Sequence, residues 1–422
     1  MTPKKEKLLL YTLATIQFTA IMDFMIVMPL GPQLMRLFDI NPSQFGVIVS
    51  SYTFAAGCTG IVGAFFIDRF DRKTALLFNY IGFSIGTICC ALAPSYEWLA
   101  AARIVTGLFG GVMGALVMSI VGDVVPEFRR ASAMGIVMAS FSVASIFGVP
   151  FGLYLANLAG WHMPFFFLGF MGLLVSILIY KVVPSVNSHL TKERPSPVQV
   201  LKNVFGSTMQ VRGLLFMFVL VLGQFSIIPY ISPYLVANVG FPEANLTYMY
   251  LLGGCATIFT SPMIGRLADK YGKPKIFTIM ALLSIIPLIT ATHMPHIPVW
   301  AVLICTTLFF IFISGRMVPS MALITSTVTP QHRGSFMSIN SSAMQLGSGV
   351  ASFLSGLVIA RAATGEILNY NFVGYGAIFF TIVAIFVARK IKPVPQEVRV
   401  NVDGENAVEK EKTEEMHVMA EM

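Results

Sequence analysis

The sequence predicts an all-α membrane protein in which twelve transmembrane helices form two pseudo-symmetric six-helix bundles. Three observations carry this prediction: the composition, the number of long apolar stretches, and a charged loop that occurs twice. The chain has 422 residues, of which 56% are hydrophobic and 11% charged, and its mean hydropathy is +0.77. Ordinary soluble domains carry about 25% charged residues. The chain therefore has too little polar surface for a soluble protein and is expected to reside in a lipid bilayer.

Twelve stretches are long and apolar enough to cross a membrane, since a hydrocarbon core of about 30 Å requires roughly 20 residues of helix. They lie near 8–30, 44–67, 74–94, 97–122, 131–158, 163–183, 211–236, 245–267, 275–293, 297–325, 335–360 and 371–389. A polar segment containing Pro195 and Pro197 separates the sixth span from the seventh. This predicts a first bundle over 1–183, a cytoplasmic linker over 184–210, a second bundle over 211–392 and a disordered cytoplasmic tail over 393–422.

The charged loop occurs at 68–73, with the sequence DRFDRK, and again at 269–275, with the sequence DKYGKPK. Each copy follows an apolar span. A membrane protein built from two similar halves must turn its chain at the same face in each half, which explains such a repeat. The repeat therefore indicates a duplicated architecture.

Positive charge is distributed unevenly between the two sets of loops. We place 24 of the 28 Lys and Arg residues in the N-terminal tail, alternate loops and the C-terminal tail. Only Arg36 and Arg361 fall in the opposite loops, while Arg103 and Arg316 lie inside spans. By the positive-inside rule, both termini are expected in the cytoplasm. Because the net charge of +8 is explained by these loops, it does not indicate a nucleic-acid partner.

The second charged loop resembles the loop signature of the major facilitator superfamily, G-x-x-x-D-[RK]-x-G-x-[RK]-[RK]. Gly265, Asp269, Lys270 and Gly272 occupy its first four defined positions. The resemblance extends over nearly the whole chain. It implies the major facilitator fold and transport by alternating access.

The first copy departs from the signature, since Ala64 and Asp71 stand where the two glycines are expected. Asp68, Arg69 and Lys73 remain. The family resemblance implies that Asp68 in this loop helps to latch the two halves together in the outward-facing state. Arg129 and Arg130 would be the nearby partners of Asp68.

Two further motifs resemble those of exporters in the same superfamily. Arg103 and Gly107 in the fourth span match R-x-x-x-G, and Gly148, Pro150 and Gly152 in the fifth form G-V-P-x-G. Small residues at such positions allow membrane helices to pack closely. The G-V-P-x-G spacing is similar to that of sugar and purine exporters. The acid before a phenylalanine in the first span resembles twelve-helix drug:proton antiporters.

Asp23 is the one acid placed deep inside a predicted span. An Asp at the centre of a helix costs roughly 2.5 to 3.5 kcal/mol on insertion, so it needs a partner or a watery cavity. At 1.5 Å per residue, Asp23 in the first span and Arg103 in the fourth both lie roughly 10 Å below the same surface. We expect them to interact as a proton-coupling pair in which Asp23 carries the proton. A permanent structural ion pair and the absence of any contact remain the alternatives.

Five polar or aromatic residues are candidates for a substrate cavity: Phe24, Gln17, Gln224, Tyr230 and Arg316. Arg316 could bind an anionic substrate, cap helix carbonyls or extend toward the interface. Tyr230 follows a proline that can expose backbone groups to a cavity, yet tyrosines near span ends also anchor helices at the membrane interface. The remaining three are suited to contact with a small molecule.

No motif in the sequence indicates an enzyme, and no cofactor is expected. His293 and His296 lack a third metal ligand nearby, so we predict no metal site. The expected function is proton-coupled efflux of small amphipathic or drug-like compounds by a monomer in the inner (plasma) membrane. Export of a polar metabolite such as a sugar or nucleoside is the alternative, with uptake or a non-transporting receptor or lipid-handling role on the same fold also open.

Overall fold

The computed structural model describes residues 3–66, 69–185, 202, 204–328 and 333–391. We number the twelve long helices α1 to α12 and treat interrupted helices as one. Their bounds are α1 Pro3–Ile26, α2 Pro42–Phe66, α3 Arg72–Ala91, α4 Tyr96–Gly110 with Met113–Val124, α5 Glu127–Val143 with Val149–Ala159, α6 Met163–Val182, α7 Thr208–Phe225 with Ile228–Asn238, α8 Leu246–Tyr271, α9 Lys273–Thr292, α10 Val299–Thr325, α11 Arg333–Val358 and α12 Tyr370–Arg389. A short helix Gly31–Leu37, a 3₁₀ turn Glu243–Asn245 and a two-stranded hairpin, β1 Ala360–Arg361 with β2 Ile367–Leu368, lie between them.

Within the described residues, eleven helices are long and apolar enough to span a membrane, and α11 is the twelfth. Its 26 residues are rich in serine and glycine, which keeps it outside that set. Helix α11 packs against α2 and α7. Asn340, Ser342, Ser348 and Ser352 are buried, so its polar side chains face protein. The predicted arrangement of six plus six helices is confirmed.

The predicted end of the first span, near residue 30, was wrong, since α1 runs from Pro3 to Ile26. At its start the charged residues 4–7 continue the helix, because long charged side chains can lie at the membrane interface. At its end residues 27–30 form a turn before Gly31–Leu37. Pro29 in this turn lacks the N–H that a continuing helix would need. The predicted linker at 184–210 lies mostly outside the described residues, and the predicted tail lies wholly outside them.

Helices α5 and α7 are each interrupted shortly before a proline. In α5 a π-helical turn, Ala144–Gly148, precedes Pro150, and in α7 the helix breaks just before Pro229. Proline cannot donate the backbone hydrogen bond that a continuous α-helix requires. A π turn accommodates such a break and is often found at functional sites.

The charged turns at 69–73 and 271–275 lie on one side of the molecule, here called the basic face, and Arg36, Glu243 and His293 lie on the opposite face. The first bundle, α1–α6, meets the second, α7–α12, mainly through α2 against α11 and α5 against α8. The α5–α8 packing involves the π turn and the segment Val149–Ala159, which are nearer the opposite face. Within the described residues, Glu127–Val143 forms no comparable packing with α8. The two bundles therefore close at the opposite face and separate toward the basic face between α5 and α8.

The loop signature differs physically between its two copies. Gly272, between α8 and α9, has φ +97° and ψ 131°, a conformation that is essentially restricted to glycine. At the corresponding position Asp71 has φ −55° and ψ 132°, which any residue can adopt. Its carboxylate accepts a hydrogen bond from the Thr74 backbone N–H at 3.1 Å and so caps α3. The first copy thus uses the side chain of Asp71 to begin a helix where the second needs glycine for the turn.

Gly272→Ala is expected to destabilise the protein by about 1–3 kcal/mol, because alanine would be held in a strained backbone conformation. Gly265→Ala is a matched control within the same signature. A Cβ there would lie 3.6 Å from Val318, an ordinary contact. Thermal unfolding in detergent should show a lower midpoint for Gly272→Ala than for Gly265→Ala, and equal midpoints would contradict the assigned role of Gly272.

Candidate functional site

A buried ion pair joins α1 to α4 inside the first bundle. Arg103 Nη1 donates to Asp23 Oδ2 at 2.6 Å and lies 3.4 Å from the Asp23 backbone oxygen. The Asp23 side chain is 0% exposed and that of Arg103 is 1% exposed. Asp23 and Arg103, which the sequence predicted to lie at the same depth in the membrane, are thus in direct contact. The role of the pair in proton coupling stays a prediction.

Two further side chains complete this site. Thr87 of α3 lies with its hydroxyl oxygen 3.1 Å from Asp23 Oδ1 and 3.0 Å from the Phe83 backbone oxygen. The Tyr52 ring of α2 packs against the Arg103 guanidinium, with 4.3 Å between Cζ and the ring centroid. A cation over an aromatic face is stabilised electrostatically, more so when it is desolvated. The acid and the arginine are therefore each held by a second partner.

Gly107 explains how α2 comes close enough to supply this ring. A Cβ on Gly107 would collide with the Tyr52 backbone oxygen, and one on Gly111 would collide with that of Ala56. Glycine at 107 and 111 lets α4 lie directly against the α2 backbone. In the R-x-x-x-G motif, Arg103 and Gly107 therefore lie on adjacent turns of α4. Gly107 allows α2 to approach, and the approach brings the Tyr52 ring to Arg103.

The G-V-P-x-G motif of α5 packs closely against another side of α1. A Cβ on Gly148 would lie 3.2 Å from Met22 Sδ, and one on Gly152 would lie 2.6 Å from Ile26 Cδ1. Pro150 lies between them, one residue into the helical segment that follows the π turn. This part of α5 thus packs against the α1 residues that flank Asp23.

An aromatic chain leads from the ion pair to the second bundle. Tyr52 stacks on Phe24 with 5.6 Å between ring centroids, and Phe24 lies 5.8 Å from Phe225 of α7 by the same measure. Phe24 and Phe225 are only partly buried. Phe24, predicted to line the cavity, is therefore the link between the charged pair and the facing bundle.

The other predicted cavity residues do not gather at one point. Gln17 is partly exposed, with its Nε2 3.6 Å from where a Cβ on Gly114 would lie. Gln224 is partly exposed, but its Oε1 is buried and has no hydrogen-bond partner among the described residues. Tyr230 is 0% exposed, and its hydroxyl lies 2.8 Å from the Ser352 backbone oxygen. Arg316 is buried among helices of the second bundle. Their roles in substrate binding stay predictions.

The opposite face is closed by contacts between the bundles. Arg36 and Glu243 form a salt bridge with 2.5 Å between Nη1 and Oε1, and the hydrogen bond that Arg36 donates to Glu243 raises the pKa of Arg36 above its ordinary value. Deeper in the interface, a Cβ on Gly46 would collide with the Tyr230 hydroxyl, and one on Gly356 would lie 2.6 Å from it. The Tyr230 hydroxyl therefore occupies space that only glycine leaves free on both α2 and α11.

At the basic face, three basic residues of the first bundle have contacts within that bundle. Arg129 donates to Glu6 Oε2 at 2.7 Å, and Arg130 Nε donates to the Val125 backbone oxygen at 3.0 Å. Lys73 lies 4.8 Å from the centroid of the Tyr180 ring. Asp68 lies outside the described residues. The latch predicted for Asp68, Arg69 and their partners, and the corresponding role of Asp269 and Lys270, stay predictions.

His293 and His296, the two histidines considered as metal ligands from the sequence, each have a hydrogen-bond partner in the protein. His293 Nε2 lies 2.9 Å from the Tyr375 hydroxyl, and His296 Nδ1 lies 2.9 Å from the Val239 backbone oxygen. Within the described residues, no three His, Cys, Asp or Glu side chains are grouped as metal ligands would be.

Sequence reasoning missed Thr87 and Tyr52, because a hydroxyl or an aromatic ring in an apolar span carries no distinctive signal. It also missed the bridge between Arg36 and Glu243. A signal for that bridge exists, since opposite charges stand in the corresponding first loops of the two halves.

The chain belongs to the major facilitator superfamily, whose family model matches residues 13–257 and again 213–418. It is 24% identical over 346 residues to YceJ of Bacillus subtilis (strain 168), an uncharacterized transporter of this family, covering 82% of this chain and 87% of that protein. It is also 24% identical over 340 residues to a probable sugar efflux transporter of Helicobacter acinonychis (strain Sheeba), covering 80% of this chain and 84% of the relative.

Among solved structures, the fold resembles that of a bacterial homologue of the human lysosomal transporter Spinster in an inward-facing and unoccupied conformation. The TM-score is 0.75 at 16% identity, covering 94% of this chain and all of the other. Since the family model matches most of the chain, the protein is a membrane transporter of this superfamily rather than an enzyme.

Proposed function

We propose that the protein is a proton-coupled exporter of small amphipathic compounds and that Asp23 carries the proton. The buried contact between Asp23 and Arg103 is the observation that carries this proposal. Of the two, only the acid can change charge, because arginine stays protonated in proteins. Proton exchange at Asp23 would thus switch the site between a neutral ion pair and an unbalanced positive charge.

The closed opposite face indicates on which side of the membrane Asp23 would release and take up its proton. With the basic face on the cytoplasmic side, as the positive-inside rule favours, the bundles separate toward the cytoplasm between α5 and α8. An ionised Asp23 bound by Arg103 and Thr87 then corresponds to a transporter that has released its proton inward and can accept cargo. Protonation from the other side, after cargo has left, would complete an antiport cycle in the inner membrane.

The surroundings of the pair support an amphipathic cargo. Phe24 and Phe225 face each other between the bundles with partly exposed rings, and such aromatic surfaces suit lipophilic ligands. The alternative is a sugar or another polar metabolite. Similarity to a probable sugar efflux transporter favours it, as does the position of Gln17 and Gln224 on α1 and α7.

We propose that a monomer performs the cycle.

Proteoliposomes with a pH-sensitive dye inside test the proposal. Lipophilic drugs, sugars and nucleosides are added in turn under an imposed pH gradient. We expect at least one compound to drive proton movement opposite to its own. Transport that is indifferent to the pH gradient, or protons that move with the compound, would contradict proton-coupled export.

A further inference from the structure

Arg316 presents an unused pair of hydrogen-bond donors inside the second bundle. It lies on α10 and is 0% exposed. Its Nη1 donates to the Thr381 hydroxyl of α12 at 2.8 Å and lies 3.4 Å from the Ser284 hydroxyl of α9. Its Nε and Nη2 have no hydrogen-bond partner among the described residues. The guanidinium is therefore anchored on one side and unsatisfied on the other.

The two hydroxyls act as acceptors, because their own hydrogens are engaged elsewhere. Ser284 donates to the Ala281 backbone oxygen at 2.7 Å, and Thr381 donates to that of Ala377 at 2.8 Å. Both bonds are local to their own helices. Thr381 and Ser284 thus orient Arg316 without neutralising its charge.

The unsatisfied edge has the geometry of an anion site. The N–H groups on Nε and Nη2 are parallel and form the fork that pairs with a carboxylate through two hydrogen bonds. An unpaired charge buried in a membrane protein is costly, and such residues commonly mark ion or substrate sites. Within the described residues no acid forms a salt bridge with Arg316, and this requires an explanation.

The described part of the second bundle supplies no acid in the helices that contact Arg316. Between 208 and 328 and between 333 and 391 the acids are Glu243, Asp269 and Glu366. Glu243 pairs with Arg36 at the opposite face, Asp269 lies in the last turn of α8, and Glu366 lies in the β-hairpin loop. None of the three lies in α9, α10 or α12, the helices that meet around Arg316.

The geometry points to a binding site for a small monovalent anion at the Nε and Nη2 edge of Arg316, between α9, α10 and α12. The anion is either free, such as chloride, or the carboxylate group of a transported compound. In both cases its charge balances Arg316, while Thr381 and Ser284 hold the guanidinium. This site is separate from Asp23, which lies in the other bundle.

The test is the thermal unfolding of the full-length protein in detergent at constant ionic strength. Gluconate is replaced stepwise by chloride, bromide or nitrate in one arm and by formate, acetate or benzoate in the other. We expect the unfolding midpoint to rise and saturate in at least one arm. Saturation with halides and nitrate identifies a free anion, and saturation with carboxylates alone identifies the carboxylate of a cargo.

Variants assign the response to the site. Arg316→Gln should abolish it, while Arg361→Gln, which changes an exposed arginine, should retain it. Thr381→Val keeps the side-chain size but removes the anchor, and should raise the half-saturating concentration about tenfold, as expected for loss of a charge-assisted hydrogen bond. This variant carries the test should Arg316→Gln fail to fold.

Two results would overturn the site: no saturating response to any of the six anions, or a response that Arg316→Gln and Thr381→Val leave unchanged. Bromide diffraction offers an independent readout, with an anomalous peak expected beside Nε and Nη2. Asp23→Asn should keep the anion response, so failure of the proton-coupling proposal would not remove it.

Discussion

Asp23→Asn is expected to abolish substrate-driven proton movement. Asparagine is isosteric and keeps an oxygen that can accept from Arg103 and Thr87, but it cannot bind and release a proton. The Arg103 charge is then no longer balanced. Breaking a buried ion pair by removing one partner typically costs about 3–5 kcal/mol, so we also expect a lower unfolding midpoint. Dye-loaded proteoliposomes and thermal unfolding measure the two effects separately.

The double variant Asp23→Asn/Arg103→Gln separates a proton carrier from a structural ion pair. It leaves no unbalanced charge at the site, so stability should recover toward that of the wild type. Coupling should not recover if Asp23 carries the proton. Restored proton movement in the double variant, or undiminished movement in Asp23→Asn alone, would show that the pair serves only to hold α1 against α4.

The sequence predicted the parts of this site that depend on depth and charge. Asp23 and Arg103 could be placed at one level because helix rise is constant and intramembrane charges are rare. Thr87 and Tyr52 could not, because their contacts depend on how α2 and α3 rotate about their axes. Those rotations follow from backbone approaches such as Gly107 against Tyr52, which a single sequence does not reveal.

The fold was predictable for a related reason. Span length and the positive-inside rule act on each helix alone, so twelve helices and a repeated loop could be recognised without tertiary information. Tyr230 shows the limit of this reasoning. Its place directly after Pro229 suggested a cavity, but whether it faces a ligand or the other bundle depends on the position of α2 and α11. In this structure its hydroxyl packs between Gly46 and Gly356.

Gly46→Ala is expected to shift the protein toward conformations that are open at the opposite face. The added Cβ would collide with the Tyr230 hydroxyl and lie 2.9 Å from the Ser352 backbone oxygen. Both belong to the second bundle, so relief requires the two bundles to separate. Overpacking typically costs about 1–3 kcal/mol, which corresponds to roughly a 5- to 150-fold change in the equilibrium between two states. Transport should slow, because every cycle must pass through the closed state.

Spin labels at Leu37 and Tyr248, on the two sides of the opposite face, can measure this shift as a longer distance between labels. The background should lack the five native cysteines. Gly376→Ala is the matched control, since a Cβ there would meet nothing within 4 Å.

Tyr230→Phe removes the hydroxyl but leaves Ser352 in place, so the double variant Gly46→Ala/Tyr230→Phe should recover only part of the closed population. A distance distribution that Gly46→Ala leaves unchanged would show that this contact does not hold the bundles together. A full recovery in the double variant would show that the clash with the Tyr230 hydroxyl alone, and not that with Ser352, causes the opening.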